Sequence, residues 1–304
     1  MKITKHLFPK WHLKDKYLGV LYVLPAMFVL LGMTLYPFLY CINLSLQKWD
    51  LFQPNKRYYI GFTNYISLFI DPNFWNSLKT TIIFTVVSVI VSFIIGLVLA
   101  SLLAGKGRFV GAFRTIFVLP MIITPIVIGT GFKYLYDPTS GILNYVLSLI
   151  RITAPAWTTN PKTALLSVIM VDIWQWTPFM FLILIAGIQG LPKAPFEAAA
   201  CDGASYWQIL KNVTFPLMKP VVLIALLFRA IDSFRTFDTI YAITSGGPGM
   251  LTTTLNLFAY IKAFKMYKMG EAAAVAIIIW IIVFTFSQLL LKYLSTTQKV
   301  VQEK

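Results

Sequence analysis

Residues 80–104 read TTIIFTVVSVIVSFIIGLVLASLLA, twenty-five positions without one ionisable side chain. A helix crossing the roughly 30 Å hydrocarbon layer of a bilayer needs about 20 apolar residues, because every backbone N–H and C=O must be bonded within the segment where water is absent. This stretch meets the requirement, and five more do so: 17–44, 113–136, 163–190, 221–242 and 271–294. The pattern predicts an all-α, polytopic membrane protein with six transmembrane helices. Its expected organisation is an N-terminal tail 1–16, a helical domain 17–294 and a C-terminal tail 295–304.

Composition agrees with the spans. With 58% hydrophobic and 12% charged residues and a mean hydropathy of +0.75, too few ionisable groups remain to coat a water-soluble particle of 34.4 kDa. A net charge of +15 on a soluble chain would suggest nucleic acid; here the Lys and Arg residues sit in short loops between spans, which reads as membrane topology and contact with anionic lipid. Lys2, Lys5, Lys10, Lys14 and Lys16 precede an apolar run that has no small-residue cleavage site, so that run is expected to be an uncleaved first span. This tail, the Lys106/Arg108/Arg114 loop and the Lys292/Lys299/Lys304 tail are basic, which predicts that both termini are cytoplasmic. Cys41 and Cys201 lie in the first span and in a loop, and imply neither a disulfide framework nor a cysteine-based metal site.

The segments between spans have local signals of their own. The outer segment 47–79, with Trp49, Asp71-Pro72 and Trp75, is expected to hold a short interfacial helix. The run 142–150 is too short to span and predicts a lid-like interfacial helix. Gly246-Gly247-Pro248-Gly249 is a turn, followed by an amphipathic run 252–264. On the other side, the loop 191–219 is rich in alanine and bounded by Pro192, Pro195, Pro216 and Pro220. Pro195 can open one helix, Asp202-Gly203 can stop it in a left-handed conformation, and Ser205 can cap a second helix ending before Pro216. The result is a helix–turn–helix finger.

Within that finger, Glu197-Ala198-Ala199-x-x-Asp202-Gly203-Ala204, followed by Trp207, Val213, Pro216 and Pro220, resembles the EAA loop of ABC-importer permeases. The flanks agree: Trp174-x-x-x-Pro178-Phe179 and Ala186-Gly187-Ile188-Gln189 precede it, and Thr244-x-Gly246-Gly247-Pro248, Ala263-Phe264 and Gly270 follow as in the maltose-permease branch. Phe215 stands where that family usually has leucine. The resemblance covers nearly the whole chain and implies the type I ABC importer permease fold in a bacterial or archaeal cytoplasmic membrane. It also implies import of a sugar, polyol or oligosaccharide delivered by an extracytoplasmic binding protein. A homologous second permease subunit and two ATP-binding subunits would complete the assembly.

In that family the EAA helix docks in a groove on the ATPase, so Glu197, Ala198, Ala199, Asp202, Gly203 and Ala204 are the expected coupling residues. No cofactor or metal is expected on this chain: ATP and Mg would reside on the partner ATPases, because Gly105-Lys106-Gly107 lacks the spacing and hydroxyl of a phosphate loop.

Ionisable residues inside spans are costly and point to function. Asp172 lies in the fourth span, and Arg229, Asp232, Arg235 and Asp238 recur every third position of the fifth, predicting one slowly rotating helical face. The resemblance carries substrate contacts onto Asp172, Trp176, Phe179, Arg229, Asp232, Ser233 and Thr236. An aromatic face with planar polar partners suits a sugar. The bland alternative is that the charges pair with one another, as Arg229 with Asp232, or with the partner subunit, and Arg229 with Arg235 leaves an anionic cargo open. Lys262, Lys265 and Lys268 read as a solvated amphipathic face that could also steer cargo or dock a binding protein. A membrane-embedded enzyme is disfavoured, since His6 and His12 lie in the N-terminal tail and no metal or general-base cluster occupies the spans. An ion-coupled secondary transporter is the nearer alternative, although such a carrier has no use for the finger.

Overall fold

A computed structural model describes residues 13–104 and 110–302. His6, His12, Lys106, Arg108 and the Gly105-Lys106-Gly107 stretch lie outside the described residues. The helices follow one another as α1 (Leu13–Ser45), α2 (Thr63–Ile70), α3 (Pro72–Leu103), α4 (Val110–Ile122), α5 (Pro125–Leu135), α6 (Ile142–Leu149) and α7 (Ala164–Gln189). After these come α8 (Ala194–Cys201), α9 (Tyr206–Ile209), α10 (Phe215–Phe234), α11 (Asp238–Thr244), α12 (Leu255–Tyr260) and α13 (Met269–Gln302). A two-stranded antiparallel hairpin, β1 (Gln47–Lys48) with β2 (Tyr58–Tyr59), sits between α1 and α2. The helices α1 and α13 extend into 13–16 and 295–302, positions expected to belong to the tails.

Five helices among the described residues are long and apolar enough to cross a membrane, within α1, α3, α7, the run Tyr206–Phe234 and α13. The third expected span is different: it is the pair α4 and α5, bent by 92°. Pro125 explains the break. Having no N–H and crowding the residue before it, it drives Thr124 to an extended ψ of 139° and then opens α5 from its first position. A chain break at membrane depth leaves carbonyls without partners unless protein covers them. Here Gln175 of α7 donates from Nε2 to the Ile123 carbonyl at 3.2 Å.

The fifth span also departs from expectation at both ends. The second finger helix does not stop before Pro216; α9 runs through a π-helical turn, Leu210–Thr214, into α10 as one continuous apolar rod, Tyr206–Phe234. The wider turn accommodates the donor that Pro216 lacks, with the Phe215 N–H bonded to Leu210. At its far end α10 stops at Phe234, so Arg235 and Asp238 do not continue the helical face of Arg229 and Asp232. The short α11 then turns back onto α5, where Gly129 is the small residue that lets them meet: a Cβ there would lie 2.7 Å from that of Ala242.

The tightest pairing is α3 with α7. Along α3 the small residues Ser88, Ser92, Gly96 and Ala100 recur every fourth position and are buried. A Cβ on Gly96 would lie 2.9 Å from Met180 Cβ and 3.0 Å from the Phe181 nitrogen. Lipid supplies no hydrophobic drive for helix association, so such close approach through small residues is what holds membrane helices together.

The outer segment 47–79 holds the expected helix, α2, but α3 already starts at Pro72, with Asp71 accepting from the Asn73 N–H as its cap. Asp71 also belongs to an ion cluster: Lys262 donates to Asp71 at 3.1 Å and to Glu271 at 2.8 Å, and Lys268 donates to Glu271 at 2.9 Å. Lys262 is therefore buried structural glue, contrary to the solvated face expected for it, while Lys265 is exposed. Burial opposes the Lys262 charge, but the hydrogen bonds and charges of Glu271 and Asp71 prevail and hold its pKa above the ordinary lysine value. For Asp71 burial is likewise outweighed, by the Asn73 N–H and Lys262, and its pKa lies below the ordinary carboxylate value. A depressed carboxylate contributes stability above its unfolded pKa and loses it as pH falls through the folded one. Lys262→Met is expected to destabilise the protein by about 1–3 kcal/mol at neutral pH, between an exposed and a buried pair. The deficit should shrink as acid protonates Asp71, held below its ordinary value, together with Glu271, and thermal unfolding of the parent and variant at pH 7 and pH 2.5 measures it.

Candidate functional site

Two regions bring the expected residues together. The first is the finger. Pro195 lies in the first turn of α8, where the missing N–H is harmless, and Glu197 faces the positive end of the helix from the same turn. The helix is closed by Gly203 at φ +73°, with the Ala204 N–H reaching back to Ala199 at 3.0 Å and that of Gly203 to Ala200 at 3.1 Å. Ser205 then caps α9 through a reciprocal box: its Oγ accepts from the Gln208 N–H at 3.4 Å, and Gln208 Oε1 accepts from the Ser205 N–H at 2.7 Å.

The sharp turn expected at Asp202-Gly203 is present. Glu197, Ala198, Asp202 and Gly203 are exposed, Ala199 and Ala204 half-buried, and no side chain of α8 is buried. Two residues left out of the expected set stand out on this surface: Tyr206 and Trp207 are 58% and 75% exposed. A Trp so exposed just beyond a capped helix start was visible in the sequence as Trp207, but its exposure depends on the angle between the two arms.

The second region is a cavity of about 290 Å³ between α7 and the end of α10, lined by Pro125, Trp176, Asp232, Arg235, Thr236 and the start of α11. Beneath it, Arg229 and Asp172 form an ion pair whose side chains are 0% and 2% exposed. Arg229 also donates from Nη1 to Asp232 Oδ2 at 3.2 Å, and its guanidinium carbon lies 5.5 Å from the centre of the Trp176 ring. Its charge is thus met on three sides before any cargo arrives. Asp232 remains 47% exposed, its carboxylate open to the cavity.

Of the seven expected contacts, Trp176, Asp232 and Thr236 line the cavity. Phe179 supports Trp176 edge-on, with ring centres 6.2 Å apart. Asp172 and Arg229 form the buried base, and Ser233 is buried on the same helix with no hydrogen-bond partner for its hydroxyl among the described residues. Pairing among the charges, weighed as the alternative to cargo contact, therefore describes Asp172 and Arg229. The residues missing from the expected set are Pro125, Arg235, Phe237, Asp238 and Thr239. Arg235 and Asp238 were conspicuous as charges; their place at the cavity follows from the end of α10.

Residues 93–299 match the family described as binding-protein-dependent transport system inner membrane component. The chain is 34% identical to the trehalose/maltose transport system permease protein MalF of Thermococcus litoralis, an alignment covering 95% of this chain and 98% of that protein. It is likewise 34% identical to the trehalose transport system permease protein SugA of Mycobacterium tuberculosis, over 90% and 89% of the two chains. Among solved structures, a chain of a bacterial ABC transporter involved in the import of the acidic polysaccharide alginate has the same fold. That match has a TM-score of 0.80 at 22% identity and covers 93% of this chain and 96% of that one.

Proposed function

Because the chain belongs to the family of binding-protein-dependent transport system inner membrane components, it is a permease subunit of an ABC importer, and we propose that its cargo is an uncharged sugar. The observation that carries the cargo reading is the pairing of Trp176 with the half-exposed Asp232 on one cavity wall, an aromatic face beside a planar acceptor for hydroxyls. The trehalose and maltose named for its relatives support the same class. Charge speaks against an anionic cargo. Arg229 is neutralised by Asp172 and Asp232, and the cavity wall carries Asp232 and Asp238 against Arg235.

Cargo is handed over by an extracytoplasmic binding protein, and a second permease subunit supplies the opposite wall of the path. ATP is hydrolysed, with Mg, on two separate subunits that dock on Glu197, Ala198, Ala199, Asp202, Gly203 and Ala204. Both termini are cytoplasmic in this reading, on the side of the finger. The finger's bare surface supports the docking role, since an Ala-rich hairpin with no core of its own gains nothing by standing free. Family membership leaves the ion-coupled carrier without support.

Purification of the tagged chain in mild detergent from its host tests the assembly; recovery with a second permease and an ATPase is expected, and a homo-oligomer alone would overturn it. In vesicles holding that assembly, Trp176→Ala is expected to lower sugar uptake about tenfold, the loss of a stacked aromatic worth ~1–2 kcal/mol, without releasing the ATPase. Unchanged uptake across neutral sugars would place the cargo elsewhere.

A further inference from the structure

Beside the Trp176 ring and the Asp232 carboxylate, the cavity wall carries a cation that nothing in the chain takes up. Arg235 is exposed just past the end of α10 and lines the cavity. Asp232 lies three positions before it and Asp238 three after. Arg235 nevertheless makes no ion pair and no side-chain hydrogen bond among the described residues. Asp232 gives the reason. Its Oδ2 already accepts from Arg229 Nη1 at 3.2 Å, so its charge is met from below, and its Oδ1 has no protein partner among the described residues. The threonines of the same wall are turned away: Thr236 Oγ1 donates to the Asp232 carbonyl at 3.4 Å, and Thr239 is buried.

A carboxylate only accepts hydrogen bonds and a guanidinium only donates them. A cargo carboxylate would therefore oppose Asp232, and a cargo ammonium would oppose Arg235. Two neighbouring hydroxyls satisfy both at once, the first donating to Asp232 Oδ1 and the second accepting from the planar fork of Arg235. At about 290 Å³ the cavity lies at the small end of ligand sites, roughly 300–1,000 Å³, which suits a single sugar ring against this wall.

We propose that Asp232 and Arg235 clamp a vicinal diol on one ring of the cargo, whose apolar face lies on Trp176, and that Arg235 is a specificity-determining residue of transport. The clamp rests on the uncharged-sugar cargo proposed above and names the part of it that is read. Arg229 sets the geometry from beneath. By holding Asp232 Oδ2 and lying 5.5 Å from the centre of the Trp176 ring, it fixes the acceptor and the stacking face relative to each other.

The test measures binding to the whole importer, purified in detergent without its binding protein, so that selectivity upstream does not enter. Saturation-transfer NMR at millimolar sugar, with trehalose, maltose and methyl glucoside as probes, gives the affinity of the parent. The monodeoxy analogues of the probe that binds then locate the hydroxyls that matter. Removal of either of two adjacent hydroxyls is expected to weaken binding about tenfold, the loss of one hydrogen bond to a charged group. Arg235→Met should weaken the intact sugar by the same factor, with thermal unfolding unchanged because the side chain packs against no partner. In that variant the analogue lacking the Arg235-bound hydroxyl should bind as well as the intact sugar, a loss of discrimination that a merely structural defect would not produce. Undiminished binding by Arg235→Met, or discrimination retained in it, would overturn the clamp and leave the sugar reading standing. Parental affinity in Trp176→Ala would place the sugar outside this cavity, and a parent that binds none of the probes would overturn the sugar reading and the clamp together.

Discussion

An importer carrying Arg229→Met is expected to lose all measurable uptake and about 3–5 kcal/mol of stability, the usual cost of removing one partner from a buried ion pair. The reason is Asp172. Its side chain is 2% exposed, and without the guanidinium it is a carboxylate with no counter-charge inside the helix bundle. The double variant Asp172→Leu/Arg229→Met removes both charges together and is expected to recover most of the stability, since an apolar pair of similar volume tolerates burial as well as a salt bridge does. Uptake should stay lost, because Asp232 and Trp176 are then no longer held by the guanidinium between them. Thermal unfolding of the assembled complex together with sugar uptake separates the two effects. If the double variant were as unstable as the single one, the pair would not be the unit described.

Gly203→Asp is expected to abolish uptake through a different route, with membrane insertion intact. At φ +73° an L-residue is strained by roughly 1–2 kcal/mol, which the short α8 would relieve by shifting the angle between the arms. A Cβ at Gly203 meets nothing within 4 Å in this chain, so no clash prevents folding. The side chain would instead project from the tip onto the docking partner. Glu197→Lys tests the same surface by reversing the charge in the first turn of α8. Both variants are expected to reach the membrane in normal amount and to retain less than about a hundredth of parental uptake, a penalty of ~3 kcal/mol in docking. Parental uptake by either would remove the finger from the coupling path.

How far these sites could be read from the chain depended on where the structural signal lay. The finger's turn was legible because its signals are local: a proline at the first turn, an Asp-Gly pair suited to a left-handed stop, and a serine able to cap the next helix. The interfacial helices α2 and α6 were legible for the same reason, as short apolar runs with turn residues before them. The kink between α4 and α5 was harder. Hydropathy is unchanged across Thr124-Pro125, and proline is common enough in membrane helices that its presence alone does not declare a break.

The end of α10 had no local signal at all, since Arg235, Thr236 and Phe237 include neither glycine nor proline. It is set from a distance. Asn256, in α12, donates to the Phe234 carbonyl at 3.0 Å, and Thr254 donates to that of Thr236 at 3.5 Å. A period of three in the charged residues therefore looked like one helical face when the fold places Arg235 and Asp238 on a bend around the cavity. Lys262 was misread for a similar reason: amphipathic spacing gives its direction on a helix, while the two carboxylates that bury it come from residues 71 and 271.

The unbroken passage from α9 through the π turn into α10 makes the finger and the cavity wall opposite ends of a single lever. Tyr206 and Arg229 are 23 positions apart in it, which at helical rise is roughly 35 Å. With such an arm, a pivot of about 10° at one end sweeps the other through ~6 Å, enough to carry Asp232 across the width of a sugar ring. In the proposed assembly, motion applied by an ATPase at the finger needs no chain of adjustable contacts to reach the cavity, and the stiffness of one helix fixes how much of it arrives. The loosest point on the arm is the π turn itself, next to Pro216 and Pro220, so the gearing between the two ends is written in that one turn.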